Sequence, residues 1–241
     1  MWQRFCTIVL LASILCSGNA VAAAENIPSR AEIVSLLSDR QYGELDRRLS
    51  LAQQAYARGS IDDEQLREVF RSFYFTTPSL ALNFDEWIAN FPRSYVAHLA
   101  RGIYYEEIGR EARGPAAASE TSREQFQAME RMFAKASADF EQSLSLDTKP
   151  LLTYLYQVNI DQLLGRGEAA RKAVDRSIAI DKNNYVVRYA YMFALQTRFL
   201  GSGEQMRAFM KECRQAQLSA SQLGSLQALI AEDQACQSCR R

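Results

Sequence analysis

Apolar side chains recur along most of this chain at intervals of three and four, the spacing of one face of an α-helix. Tyr42, Leu45, Leu49 and Tyr56 fall on one such face, while Asp46, Arg47 and Arg48 fall off it. Gly59-Ser60 interrupts the pattern. It resumes from Asp62 to Phe75 through Leu66, Val69, Phe70 and Phe73, and Thr77-Pro78 opens another helix with Leu80, Phe84, Trp87 and Ile88. Convincing alternation of period two, the mark of half-buried strands, is absent. Pro28, Pro78, Pro92, Pro115 and Pro150 all stand where a helix can start or two can be connected. An all-α fold is expected.

The pattern repeats itself. Ala136, Phe140, Ser143, Leu144, Leu146 and Asp147 align with Ala170, Val174, Ser177, Ile178, Ile180 and Asp181, each pair 34 residues apart. That is the tetratricopeptide period, two antiparallel helices per unit. Leu80, Phe84, Trp87 and Pro92 fit the second helix of an earlier, divergent unit. His98, Arg101, Gly102 and Tyr105 then match a first helix at its Gly and Tyr positions, Gly102 letting two helices approach closely and Tyr105 filling the gap between them. The expectation is a tetratricopeptide-like antiparallel helical-repeat array, an α-α superhelix.

Between Tyr105 and Ala136 the chain is longer than one repeat allows. The surplus includes an insert at Arg110–Glu120, rich in Gly, Ala, Ser and Arg, closed by a capping box at Thr121 and Glu124. It reads either as a tolerated spacer or as a loop or helix extension lining a binding surface. Beyond Asp181, a helix over Asn183–Thr197 carries Tyr185, Tyr189, Tyr191 and Phe193. Ser202 caps a helix over Glu204–Gln215, and a terminal helix from Ser219 or Ser221 covers the last apolar face.

The N-terminus changes the picture of where this array resides. Met1–Arg4, the apolar Phe5–Cys16 and the small-residue Ser17–Ala24 have the layout of a secretory signal peptide, cleaved after Ala22 or, preferably, Ala24. The apolar run is shorter than the roughly 20 residues a spanning helix needs, although its Ala-rich flank leaves an uncleaved anchor as the alternative. Leu15 before Cys16 disfavours lipidation. One domain over residues 25–241 is expected, periplasmic or secreted, with no stable membrane insertion after cleavage.

Loss of Arg4 leaves 27 basic against 28 acidic residues. That balance, without a run of one sign, argues against nucleic acid and anionic lipid as main partners. Cys213, Cys236 and Cys239 remain in an oxidising compartment. A structural disulfide pinning the terminal hairpin is expected from Cys213 to Cys236 or Cys239, with a local Cys236–Cys239 bond as the competitor.

Catalytic chemistry finds little footing. His98, the only histidine, reads as packing or hydrogen-bonded. Metal spacings, a phosphate loop and a dinucleotide fingerprint are missing, so neither metal nor cofactor is expected. Glu106 and Glu107 adjoin and therefore do not share a helix face, whereas Glu107 and Glu111 do and read as solvated charges. Candidate binding residues are the Tyr and Arg side chains common at interface hot spots: Tyr104, Tyr105, Arg110 and Arg113, with Arg188, Tyr189 and Tyr191 on the later helix.

Arg101-Gly102-Ile103-Tyr104-Tyr105, Gly109, Ala112-Arg113-Gly114, and then Phe126, Met129 and Phe133 resemble the bacterial DUF4034 family. Val187–Met192 and Gly201–Met206 resemble its second block. The likeness covers roughly Leu45 to Phe209, with Arg110 where members usually carry an aromatic residue. It implies a tetratricopeptide-like fold without an established activity or cofactor. The function expected is a non-catalytic protein- or peptide-binding or scaffolding module of the bacterial cell envelope. The alternatives are a structural or regulatory part of an envelope assembly and, behind it, a carboxylate-based hydrolase around Glu106, Glu107 and Glu111.

Overall fold

The computed structural model describes residues 28–199 and 201–238, and among them helices are the only regular elements. The segment read as a signal peptide, residues 1–24, lies outside the described residues, as does Cys239. The α-helices are α1 (Arg30–Ser38), α2 (Tyr42–Ala57), α3 (Asp63–Phe70), α4 (Ala81–Asn90), α5 (Tyr95–Arg113), α6 (Arg123–Leu144), α7 (Leu151–Leu163), α8 (Gly167–Ile180), α9 (Val186–Ala194), α10 (Gly203–Cys213) and α11 (Ala220–Ser238).

Several of their starts follow from short polar side chains that accept otherwise orphaned N–H groups. Ser29 with Glu32 and Asp62 with Gln65 form reciprocal capping boxes at α1 and α3, and Ser202 caps α10 as expected. At α6 the box is Ser122 with Gln125, one residue beyond the expected pair. Thr121 instead donates its hydroxyl to the Ala117 carbonyl at 3.0 Å.

Helices α5 and α6 pack along most of their length in antiparallel sense. A Cβ on Gly109 would lie 2.7 Å from two ring atoms of Phe133, and one on Gly102 would meet the Phe140 ring more closely still. The expected close approach at Gly102 is therefore real. The surplus length is divided between helix and loop: α5 runs on through Arg113, Gly114 ends it at φ +75°, and only 114–122 bridges to α6.

The 34-residue recurrence has matching local structure. Ser143 and Ser177 are buried and donate to the carbonyls of Phe140 and Val174. Asp147 then accepts the Lys149 N–H at 2.7 Å, and Asp181 accepts the Asn183 N–H at 2.9 Å, the same aspartate turn used twice. This is consistent with a repeated unit made of the α5–α6 and α7–α8 hairpins.

The array does not simply run on from its N-terminal helices. The end of α2 and the start of α3 reach both repeated turns. Gln53 donates to the Lys149 carbonyl at 3.1 Å and Lys149 Nζ to the Ala57 carbonyl at 2.8 Å. Tyr56 donates to Asp181 at 2.9 Å, and the buried Asp63 carboxylate accepts the N–H groups of Tyr185 and Val186. The first helices thus form a strut across the two turns, and α3 comes to lie near α9.

The terminal helix is placed as expected, with Leu226, Leu229 and Ile230 buried, but the disulfide expected from Cys213 is corrected at one of its two sites. Cys213 and Cys236 are both free. Cys213 ends α10 beside the turn into α11, whereas Cys236 lies sixteen residues along α11, roughly 24 Å from its start at 1.5 Å per residue. Two cysteines whose Cα atoms are more than about 7 Å apart cannot be bridged. The pairing of Cys213 with Cys236 is therefore not seen, and a pairing with Cys239 falls outside the described residues.

Candidate binding groove

Three helices turn one face each toward a shared cavity of about 970 Å³. Glu106, Glu107, Arg110 and Arg113 come from α5, Leu155, Asn159, Gln162 and Leu163 from α7, and Val186, Tyr189, Ala190 and Phe193 from α9. Every set joins three-and-four steps with one adjacent pair, so each helix contributes a broad face, and Glu106 and Glu107, expected on different faces, both reach the cavity. Arg67 of α3 and Tyr74 beyond it close one side, and Arg198 and Phe199 another. The remaining wall is Gly114–Ala118 with Phe126, so the sequence insert does line the cavity. Its volume lies at the upper end of the range of small-molecule sites.

Electrostatically the cavity is uneven. Arg67, Arg110, Arg113 and Arg198 face it with Glu106 and Glu107. Arg198 is already engaged, 3.2 Å from Glu232 and stacked over Phe193 and Phe199. Arg113 uses Nη1 on the carbonyls of Gly114 and Ala116, at 3.0 and 2.9 Å, which fixes the insert against the end of α5. Arg67 Nε is buried without a hydrogen-bond partner. Arg110 has Glu106 at 3.7 Å, the outer edge of ion-pair distance.

Glu106 is the unusual group. It is 1% exposed, and both carboxylate oxygens are covered and lack hydrogen-bond partners. Burial disfavours its charge strongly, pushing its pKa up to about 8, against the weaker pull of Arg110, Asn159 and Arg67. Burial raises Glu107 as well, again opposed by Arg110. Tyr74 and Tyr156 meet hydroxyl to hydroxyl at 3.0 Å nearby, and burial raises both.

The expected binding residues separate on this geometry. Arg110 and Arg113 line the groove, as does Tyr189. Tyr104 does not: it is 1% exposed, stacks on Phe84 at 4.8 Å and donates to the Thr77 carbonyl. Tyr105 is half-buried on the α5–α6 seam beneath the Lys135 ammonium, 5.1 Å from the ring centroid. Arg188 is buried, donating to the Lys182 carbonyl at 2.8 Å with Cys213 Sγ at 3.9 Å. Tyr191 is buried edge-on against Phe209. These four fill gaps between helices because Tyr and Arg are both good packing residues and good contact residues. His98 is held as expected, Nδ1 at 3.0 Å from Asp139 and Nε2 at 3.3 Å from the Pro92 carbonyl.

Among the acidic candidates, Glu111 is exposed as read, but Glu107 is half-buried rather than solvated. Glu106 was missed as a floor residue. The available signal was its place four residues after Gly102 and three before Gly109, the two glycines pressed against α6. Arg67 and Asn159 gave no local signal, since their approach to α5 is tertiary.

Among the described residues no group of three or more His, Cys, Asp or Glu is placed to hold a metal ion. No helix among them is long and apolar enough to cross a membrane.

A family model described as a domain of unknown function, DUF4034, matches residues 29–169. The chain belongs to this family. The DUF4034 segment runs from the cap of α1 into the first turn of α8, starting earlier and ending sooner than the resemblance in the sequence suggested. It contains the α3, α5, α6, α7 and insert walls of the groove. The α9 wall lies beyond it, as do the Val187–Met192 and Gly201–Met206 segments first compared with the family. No curated protein and no solved structure matches the chain.

Proposed function

We propose that this DUF4034 protein is a non-catalytic binding module that holds a segment of a protein or peptide partner in the groove between α5, α7 and α9. One observation carries the reading: a concave cavity of about 970 Å³ combines apolar and aromatic walls with four guanidinium groups against two carboxylates. Concave, mainly preformed surfaces with a few polar groups to set orientation are what ligand sites share. The N-terminal export pattern supports a place in the bacterial cell envelope, periplasmic or secreted. The tetratricopeptide-like repeat suits the same role, since such arrays present extended concave faces.

Photo-crosslinking in the native host tests this. A photoreactive phenylalanine analogue replacing Tyr189 or Phe199 is expected to form discrete adducts with one or a few envelope proteins, and the same analogue at the outward Leu82 is not. Adducts that are absent from the groove positions, or identical at all three, argue against it.

One observation favours a second reading. A carboxyl group with a raised pKa beside a cleft suits a general acid, the mark of a carboxylate-based hydrolase. Against it, Glu106 has both oxygens covered, and the other carboxylate lining the groove, Glu107, adjoins it on α5 instead of facing it. Acid and base on opposite sides of a scissile bond are not available from that pair.

A further inference from the structure

Three of the four arginines lining the groove lack the close carboxylate that holds several arginines elsewhere in the molecule. Arg48 and Arg47 chelate Glu44, Arg101 chelates Asp139, and Arg171 is bound by Glu212 and Asp175. Arg67 instead keeps a buried, unpartnered Nε, Arg110 meets a carboxylate only at 3.7 Å, and Arg113 turns to neutral carbonyls. A guanidinium taken partly out of water without a carboxylate or phosphate loses hydration that nothing in the chain replaces. Arg67 is such a group, and with Arg110 and Arg113, neither of them held by a close carboxylate, it surrounds one cavity and marks a place for a ligand that supplies anions.

We propose that the groove receives an acidic stretch of polypeptide, whose carboxylates meet Arg67, Arg110 and Arg113 and whose apolar side chains lie against Phe126, Phe193 and Phe199. This rests on the reading of the groove as a peptide-binding site and deepens it by naming the chemistry of the partner. The phenyl rings and the aliphatic faces of α7 and α9 offer apolar burial to side chains, while Asn159 and Gln162 supply amides suited to a peptide backbone. Anionic glycans share the charge but have no side chains for those walls.

Glu106 sets how strongly the groove attracts an anion. Glu107 and Arg110 on α5, Arg67 on α3, Tyr74 after α3 and Tyr156 on α7 are the titratable groups around it. With its carboxyl protonated, the unengaged charges are three arginines against Glu107. Once it ionises, its negative charge beside Arg110 and Arg67 offsets theirs and repels the ligand. The pKa of about 8 puts that change just above neutrality. Binding therefore weakens as pH rises through 8, whereas model acidic peptides remain fully charged there.

Fluorescence anisotropy on the mature protein tests both parts, with four probes. They are a labelled peptide of alternating Asp/Glu and Leu/Phe blocked at both ends, its Asn/Gln isostere, its Lys counterpart, and a labelled anionic polysaccharide. The acidic peptide is expected to bind at least about ten-fold more tightly than the isostere, with a steep salt dependence. Arg67→Gln with Arg110→Gln, checked for native thermal unfolding, removes that preference. Raising the pH from 6.5 to 9 weakens wild-type binding at least about five-fold, and Glu106→Gln makes the profile flat.

Equal binding of the three peptides, abolished by groove substitutions, overturns the acidic partner and leaves the peptide groove standing. Binding by no peptide overturns both. Binding of the polysaccharide without the acidic peptide overturns the polypeptide assignment. Because the probe comparison on wild-type protein needs no variant, a misfolded substitution cannot obscure the outcome.

Discussion

Replacing Glu106 with Gln should stabilise the protein by an amount that grows with pH. The buried carboxyl has its pKa raised from 4.5 to about 8 in the folded state. Below pH 4.5 both folded and unfolded states carry the proton, and the group contributes no pH dependence. Between 4.5 and 8 the unfolded chain releases the proton while the folded chain retains it. The folded state therefore binds more protons, and stability falls as pH rises, by up to about 1.4 kcal/mol per unit. The accumulated penalty is about 3 kcal/mol at pH 7 and about 5 kcal/mol once the folded pKa has been passed. Gln keeps the size and neutrality of the protonated acid without the titration. For a domain of this size, about 3 kcal/mol corresponds to roughly 6–12 °C in Tm.

Urea unfolding followed through the fully buried Trp87 reads the effect directly. Wild type and Glu106→Gln are compared at pH 5, 7 and 8.5, where all other titrating groups cancel in the difference. The variant's advantage should be about 1 kcal/mol at pH 5 and widen at each step. Parallel pH profiles for the two proteins would refute the burial argument, and a narrowing gap would reverse its sign. Survival of a destabilising acid where an amide fits is what a functional role for the groove floor leads one to expect.

Gly109→Val forces a side chain into the Phe133 ring and should lower stability by about 2–3 kcal/mol, seen as a shifted urea midpoint with unchanged slope. Asp63→Ala leaves the N–H groups of Tyr185 and Val186 buried without an acceptor, so a loss of about 3 kcal/mol is expected; hydrogen exchange at those two amides should accelerate first, and unchanged protection counts against the strut. Cys213 is buried with its thiol pKa raised by burial, whereas Cys236 is exposed. Alkylation under native conditions should modify Cys236 within minutes and leave Cys213 intact until the protein unfolds, and non-reduced peptide mapping that finds a Cys213–Cys236 bond would overturn the placement of α10 against α11.

Most of the helical order was legible because it depends on local spacing. Leu45 and Leu49, or Leu66 and Val69, declare their face without knowledge of the partner helix. The paired Asp147 and Asp181 turns were legible because the chain states them twice. The choice between a Tyr that packs and a Tyr that faces a ligand was not. Tyr104 and Tyr189 have the same chemistry, and only the third helix that covers one of them distinguishes the two. Glu106 was obscured for a related reason: an ionisable residue on a long helix reads as solvated until a neighbour from α7, fifty residues on, removes its water. The insert was visible as surplus length, yet its role as a wall depends on Arg113 holding the carbonyls of Gly114 and Ala116.

The strut from α2 and α3 has a consequence for how this protein can change over time. An open helical array gains or loses whole units with little penalty, because each unit touches only its neighbours. Here Gln53 and Tyr56, one helical turn apart, reach Lys149 and Asp181 on successive turns. A hairpin duplicated between α6 and α7 would push the second turn out of reach, and deletion of one would leave Asp63 with nothing to bind. The number of units is thus locked by a brace of fixed span. Contacts more than a hundred residues apart must also close before the brace holds, so folding is expected to be slower than in arrays that grow from neighbour to neighbour.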